Sequence, residues 1–254
     1  MAPRHFVVAG AQRCGTTYLH DLLAAHPQVA MARPARPEPK AFLRPEPGSA
    51  QAYRTEFFGH AGDAEVLGEK STSYLEVPGV PERVSAMLGS PQVVVQLRDP
   101  IARAVSNWSF SRDHGVEQRP LEEALRADLG DPQEWDPTTS SVSPYAYVTR
   151  GRYADDLARW LPHFDVHVQF LEELLADPDT IGTLYGWLGV DDTVRPDLGE
   201  APVNASSDDE RELGDGLYAA LRDHYRASDD ALAELLGRPL PWQRPTVLDR
   251  RRRP

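Results

Sequence analysis

The chain has 254 residues, enough for one large α/β domain with a substantial core. Its 27 Lys and Arg stand against 39 Asp and Glu, a formal charge of -12 that argues against DNA, RNA or an anionic membrane as the main partner. A single cysteine, Cys14, excludes a disulfide framework and a Cys-built zinc site within one chain.

Residues 5–10, with the apolar run Phe6-Val7-Val8-Ala9, read as the first strand. That run is too short for a membrane span or a signal-peptide core, so a cytoplasmic protein is expected. A glycine turn follows, Gly10-Ala11-Gln12-Arg13-Cys14-Gly15-Thr16-Thr17, and then a helix over 16–26 carrying Leu19, Leu22 and Leu23 and ended by His26-Pro27. Strand, glycine turn and helix N-terminus form the context in which backbone N–H groups cradle a phosphate. The turn is not a Walker A loop, because Thr16 stands where that motif needs Lys and the loop's cation is Arg13.

The proline-rich stretch 32–50 reads as an extended loop, and 64–69 as a short strand leading into Glu69-Lys70-Ser71-Thr72. A helix near 80–89 precedes the clearest buried strand, Val93-Val94-Val95-Gln96-Leu97, whose β-branched run suits a parallel strand covered on both faces. Arg98-Asp99-Pro100 ends that strand and a helix occupies 101–113. Residues 129–146, rich in Pro, Ser and Asp, read as a mobile insert. A helix at 152–161, a strand at 165–170, a helix at 179–188 and helical stretches near 209–225 and 229–236 complete the pattern. Residues 1–248 are therefore expected to form one domain, with 249–254 a basic, disordered tail.

Strands alternating with helices behind a phosphate loop imply an α/β, P-loop-NTPase-like three-layer fold, a central parallel sheet flanked by helices. Ligands of such sheets lie at the carboxyl ends of the strands. That rule gathers the 10–17 loop, the Glu69 segment and the Arg98 segment.

Four motifs in consistent order over residues 5–190 resemble the PAPS-dependent sulfotransferases, in particular their heparan-sulfate-type and bacterial Golgi-like members. They are Arg13-Cys14-Gly15-Thr16-Thr17; Arg98-Asp99-Pro100-Ile101-Ala102-Arg103-Ala104-Val105-Ser106; Glu69-Lys70-Ser71 with Tyr74; and Gly151-Arg152-Tyr153 with Leu157 and Trp160-Leu161. The resemblance implies transfer of a sulfuryl group from PAPS, leaving PAP, to a hydroxyl, with an amine second, of a small molecule, carbohydrate or secondary metabolite. It implies that Arg13, Cys14, Gly15, Thr16, Thr17 and Tyr18 surround the 5′-phosphosulfate, that Arg98 and Ser106 hold the 3′-phosphate, and that Tyr153 adds to the nucleotide site. Arg13 would meet the charge on the leaving phosphate, Glu69 would be the general base, and Lys70 would assist. No metal is expected, since a 3′,5′-bisphosphate has no γ-phosphate to bridge.

For each residue a plainer reading competes. Glu69 could be a solvated carboxylate paired with Lys70; Trp108 could stack on adenine or pack in the core, and Trp160 reads as core. His60 and His114 are rival bases. The stretch Pro37-Glu38-Pro39-Lys40-Ala41-Phe42 stands where relatives carry K-E-P-x-F-F, with that motif's Lys missing and Lys40 shifted. Arg211, after Asn204-Ala205-Ser206-Ser207, or the Arg250–Arg253 run could close over a nucleotide. The competing function classes are a P-loop nucleotide or small-molecule kinase and a non-catalytic nucleotide-binding module. The sequence sets no oligomeric state and leaves the acceptor open.

Overall fold

A computed structural model describes residues 3–132, 145–196 and 213–243. In chain order the elements are β1 (Arg4–Gly10), α1 (Thr16–Ala24), β2 (Val29–Met31), α2 (Ala50–Phe58), β3 (Val66–Lys70), α3 (Val80–Leu88), β4 (Gln92–Leu97), α4 (Pro100–Asp113), α5 (Leu121–Gly130), α6 (Tyr153–Trp160), β5 (Val166–Phe170), α7 (Leu171–Ala176), α8 (Ile181–Leu188) and α9 (Asp215–Leu236). The chain divides into two compact units, Met1–Leu97 with Asp156–Pro202 and Arg98–Asp155 with Val203–Pro254.

The first unit holds the whole sheet, five parallel strands in the order β2-β3-β1-β4-β5. This is the P-loop-NTPase-like central sheet expected from the sequence. Val7, Val8, Val93, Val94 and Val95 are all fully buried, so β1 and β4 are covered on both faces, and their valine runs lack polar alternation for that reason. One face packs Phe6, Val8, Val66 and Val94 against Leu19, Leu22 and Leu23 of α1 and Leu184 and Leu188 of α8. At Gly68 a Cβ would fall 2.2 Å from the Phe6 ring and 2.6 Å from the Met31 sulfur, so the middle of β3 has room only for glycine.

The second unit packs Ile101, Ala104 and Trp108 of α4 against Leu121 and Leu125 of α5 and Leu217, Leu221 and Tyr225 of α9. The chain entering α6 is fastened to this core at Tyr147 and Val148. Buried Arg103 donates to the Tyr147 carbonyl, Asp128 accepts from the Val148 N–H, and the Tyr225 hydroxyl donates to the Val148 carbonyl at 2.8 Å. At Gly151 a Cβ would lie 2.8 Å from Pro100 Cβ, which lets the main chain come close to the start of α4.

Several elements differ from the sequence reading. β2, α2, α5 and α7 were not expected, and the two helical stretches near 209–225 and 229–236 are one helix, α9. Its stripe of Leu217, Leu221, Tyr225 and Leu232 runs unbroken through Ser228-Asp229-Asp230, which resembles a helix start. Asp229 tolerates burial there because its carboxylate accepts from Trp242 Nε1 at 3.0 Å. Residues 133–144 of the expected insert, Arg211, the Asn204–Ser207 run and the 249–254 tail lie outside the described residues. Among the described residues, no helix is long and apolar enough to cross a membrane.

Candidate active site

The glycine loop sits at the carboxyl end of β1, the middle strand of the sheet. Gly15 caps α1 in the left-handed region (φ 75°), and Arg13, a residue with a side chain, is there too (φ 66°). A non-glycine residue in this region carries strain that persists where surrounding structure enforces it. Gln96 supplies that enforcement: its backbone carbonyl accepts from Ala11 N–H at 2.8 Å and its side-chain amide donates to the Cys14 carbonyl at 2.6 Å. Because its N-cap, Gly15, has no side chain, α1 begins without a side-chain cap, leaving first-turn N–H groups for an anion. Thr16 is buried, Thr17 and Tyr18 are half-buried, and Cys14 is a fully buried free thiol.

Glu69 and Lys70 are consecutive on β3 and so point to opposite faces of the sheet. Glu69 is fully buried and accepts from the Tyr53 hydroxyl at 2.6 Å, the Ser71 hydroxyl at 2.7 Å and the Tyr74 hydroxyl. Burial pushes its carboxyl above the usual range, against the pull of those three donors. Because Ser71 and Tyr74 spend their protons on Glu69, their oxygens accept from the backbone N–H groups of Lys40 (2.9 Å) and Phe42 (3.0 Å). Glu69 thereby anchors the 38–43 segment to the end of β3.

What that segment delivers is Glu38. Its carboxylate accepts from Lys70 Nζ at 2.9 Å, from the Thr72 N–H at 3.0 Å and from the Thr72 hydroxyl at 3.1 Å. The Glu38 side chain keeps 17% of its surface exposed, whereas Glu69 keeps none. Lys70 is thus placed with Glu38 and not with Glu69. Glu38 is the glutamate of the stretch that stands where relatives carry K-E-P-x-F-F, and the sequence alone assigns it no chemistry. Lys40 contributes its main chain, in a left-handed conformation (φ 52°).

In the second unit, Arg98 and Asp99 precede α4 and both are half-buried. Asp99 is the helix N-cap, accepting from the Ile101 N–H at 2.8 Å, with Pro100 at the first helical position. Ser106 is half-buried on the same helix. The other arginine of this motif, Arg103, is fully buried and belongs to the core. Tyr153 is buried, and its hydroxyl donates to the Arg98 carbonyl at 2.9 Å, so it fixes the backbone of Arg98.

The side chains of His60, His114, Trp108 and Trp160 each bond to a main-chain carbonyl. His60 Nε2 donates to the Met31 carbonyl at 3.1 Å, beside a cavity of about 550 Å³ along β2 that His20 and Arg33 also line. His114 is exposed and its Nδ1 donates to the Phe110 carbonyl at 2.8 Å. Trp108 and Trp160 are core residues, their indole N–H groups donating to the carbonyls of Arg119 (3.0 Å) and Leu75 (3.3 Å). Among the described residues, no group of three or more His, Cys, Asp or Glu could hold a metal ion.

Comparison with known proteins gives consistent matches. The family model for a sulfotransferase domain matches residues 3–196. Human heparan sulfate glucosamine 3-O-sulfotransferase 3B1 is 28% identical over 199 residues, covering 72% of this chain and 45% of that protein. Human heparan sulfate glucosamine 3-O-sulfotransferase 6 is 30% identical over 191 residues, covering 72% of this chain and 52% of that protein. This chain therefore spans about half the length of these curated relatives. A sulfotransferase structure from Alicyclobacillus acidocaldarius shares the fold, with a TM-score of 0.75 at 24% identity over 96% of this chain and 100% of that one.

Proposed function

Because this chain belongs to the sulfotransferase family, we propose that it transfers a sulfuryl group from PAPS to a hydroxyl of a neutral carbohydrate or hydroxylated small metabolite, with Glu38 as the proton acceptor. The Glu38–Lys70 pair is the observation that carries the chemistry: a partly exposed carboxylate, oriented by Thr72, beside an ammonium group. Glu69, by contrast, is fully buried and already accepts from three hydroxyl donors, which favours Glu38 for the role.

The donor, when bound, supplies an electrophilic sulfuryl group with a phosphate leaving group. Glu38 takes the proton of the attacking hydroxyl. The first-turn N–H groups of α1, the Thr16 and Thr17 hydroxyls and Arg13 stabilise the negative charge that grows on the leaving phosphate, and Lys70 neutralises charge on the moving group. Transfer of this kind asks little covalent work of the protein, so placement and charge dominate. Arg98 and Ser106 hold the 3′-phosphate through a charge-assisted fork and a short hydroxyl donor. The open cap of α1 and the enforced Arg13 conformation suit that donor.

The formal charge of -12 favours a neutral acceptor over a polyanionic glycan, although the relatives' names refer to heparan sulfate. Incubation with radiolabelled PAPS and a panel of neutral oligosaccharides, heparan oligosaccharides and hydroxylated metabolites, read by mass spectrometry, tests this. Label in neutral acceptors is the expected result. Label confined to heparan oligosaccharides would overturn the acceptor class, and label in no acceptor would overturn the activity.

A further inference from the structure

We propose that Arg222 is a counter-charge that allows the Arg98 end of α4 to accept a nucleotide's 3′-phosphate, a positioning role exercised through Asp99. The inference rests on the reading that Arg98 and Ser106 hold that phosphate.

A helix N-terminus attracts anions through its dipole and its unpaired N–H groups. At α4 the cap is itself an anion: the Asp99 carboxylate accepts from the Ile101 N–H and follows Arg98 in the chain. Left uncompensated, it would repel a phosphate dianion at Arg98. From α9, Arg222 pairs with the second oxygen of that carboxylate. Its guanidinium is steadied by the Tyr218 hydroxyl, at 3.1 Å from Nε and 3.0 Å from Nη2, and lies 5.1 Å from the centre of the Tyr218 ring. The paired side chains retain 24% (Arg222) and 19% (Asp99) of their surface, so solvent screens them only partly.

A second carboxylate on α9, Asp229, also acts on Arg222, but burial pushes its carboxyl up to about 6 and its Oδ2 is bonded to Trp242. The carboxylate that Arg222 contacts directly is that of Asp99. Two observations separate this role from simple fastening. The Arg98 main chain is already held by Tyr153, and the Asp99 cap bond to Ile101 does not involve Arg222. Beyond any fastening, Arg222 brings a positive charge to the Asp99 carboxylate.

Calorimetric titration of the full chain with PAP and with AMP, which lacks the 3′-phosphate, tests the inference. Arg222→Gln should weaken PAP binding about tenfold or more and leave AMP within about twofold. Arg222→Lys should keep the preference for PAP. The double variant Asp99→Asn with Arg222→Gln should recover most of it, because Asn still caps the helix while both charges are gone. Equal changes for the two nucleotides, or no recovery in the double variant, would overturn the counter-charge and leave a fastening role. Arg98→Ala separates the two claims. If it leaves the PAP-to-AMP ratio intact, the 3′-phosphate assignment fails and takes this inference with it. If it collapses the ratio and Arg222→Gln does not, the counter-charge alone is wrong.

Discussion

Glu38→Gln is expected to lower turnover by about 10²–10⁴, the usual contribution of a general base, while PAP affinity stays near that of the unaltered protein. The amide keeps the shape of the carboxylate, and its oxygen can still accept from Lys70 and the Thr72 hydroxyl; its NH2 then faces the Thr72 N–H, a mismatch that partial exposure to solvent keeps small. Glu69→Gln should behave differently. Glu69 accepts from Tyr53, Ser71 and Tyr74, all buried or nearly so, and an amide would point a donor group at one of those donors. A mismatch of this kind in a fully buried site costs about 1–3 kcal/mol of stability. It would also loosen the Lys40 and Phe42 contacts that hold Glu38 in place. Chemical denaturation together with turnover and PAP titration on both variants checks this. Full stability and a lost rate in Glu69→Gln, beside normal turnover in Glu38→Gln, would return the base to Glu69.

Gly15→Ala carries the second large effect. Gly15 has φ 75°, where a Cβ costs roughly 1–2 kcal/mol. The new Cβ would also stand 2.6 Å from Leu171 Cδ1 and 3.1 Å from Gln96 Nε2. Leu171 can swing aside, but Gln96 cannot move without releasing the Cys14 carbonyl it holds at 2.6 Å. The loop must therefore shift, and displacements of about an ångström at a reacting centre cost on the order of 100-fold. Turnover should fall by about that factor, and PAP affinity should fall with it in a titration. Unchanged affinity would show that the first turn of α1 does not hold the 5′-phosphate.

The elements legible in the sequence were those whose pattern is local. The valine run of β4 and the apolar run of β1 reveal strands buried on both faces, and the glycine turn between β1 and α1 is visible as written. β2 was not legible, because Val-Ala-Met has no pattern of its own and becomes a strand by pairing with β3. The site depended on a single residue of strand boundary. Ending β3 at Glu69 leaves Glu69-Lys70-Ser71 as a loop motif whose charges can share a site. Extending β3 to Lys70 sends the two side chains to opposite faces, one into a hydroxyl cage and the other to a carboxylate 32 positions upstream. No local spacing marks the Glu38–Lys70 pair.

The central claim, that this glycine loop serves a 3′,5′-bisphosphate donor, is tested most directly by thermal unfolding with PAP and, separately, with ATP and magnesium. At a PAP concentration 100 times its dissociation constant the account predicts stabilisation of about 2.7 kcal/mol, with no comparable effect of ATP–magnesium. Stabilisation by ATP–magnesium with none by PAP would contradict it.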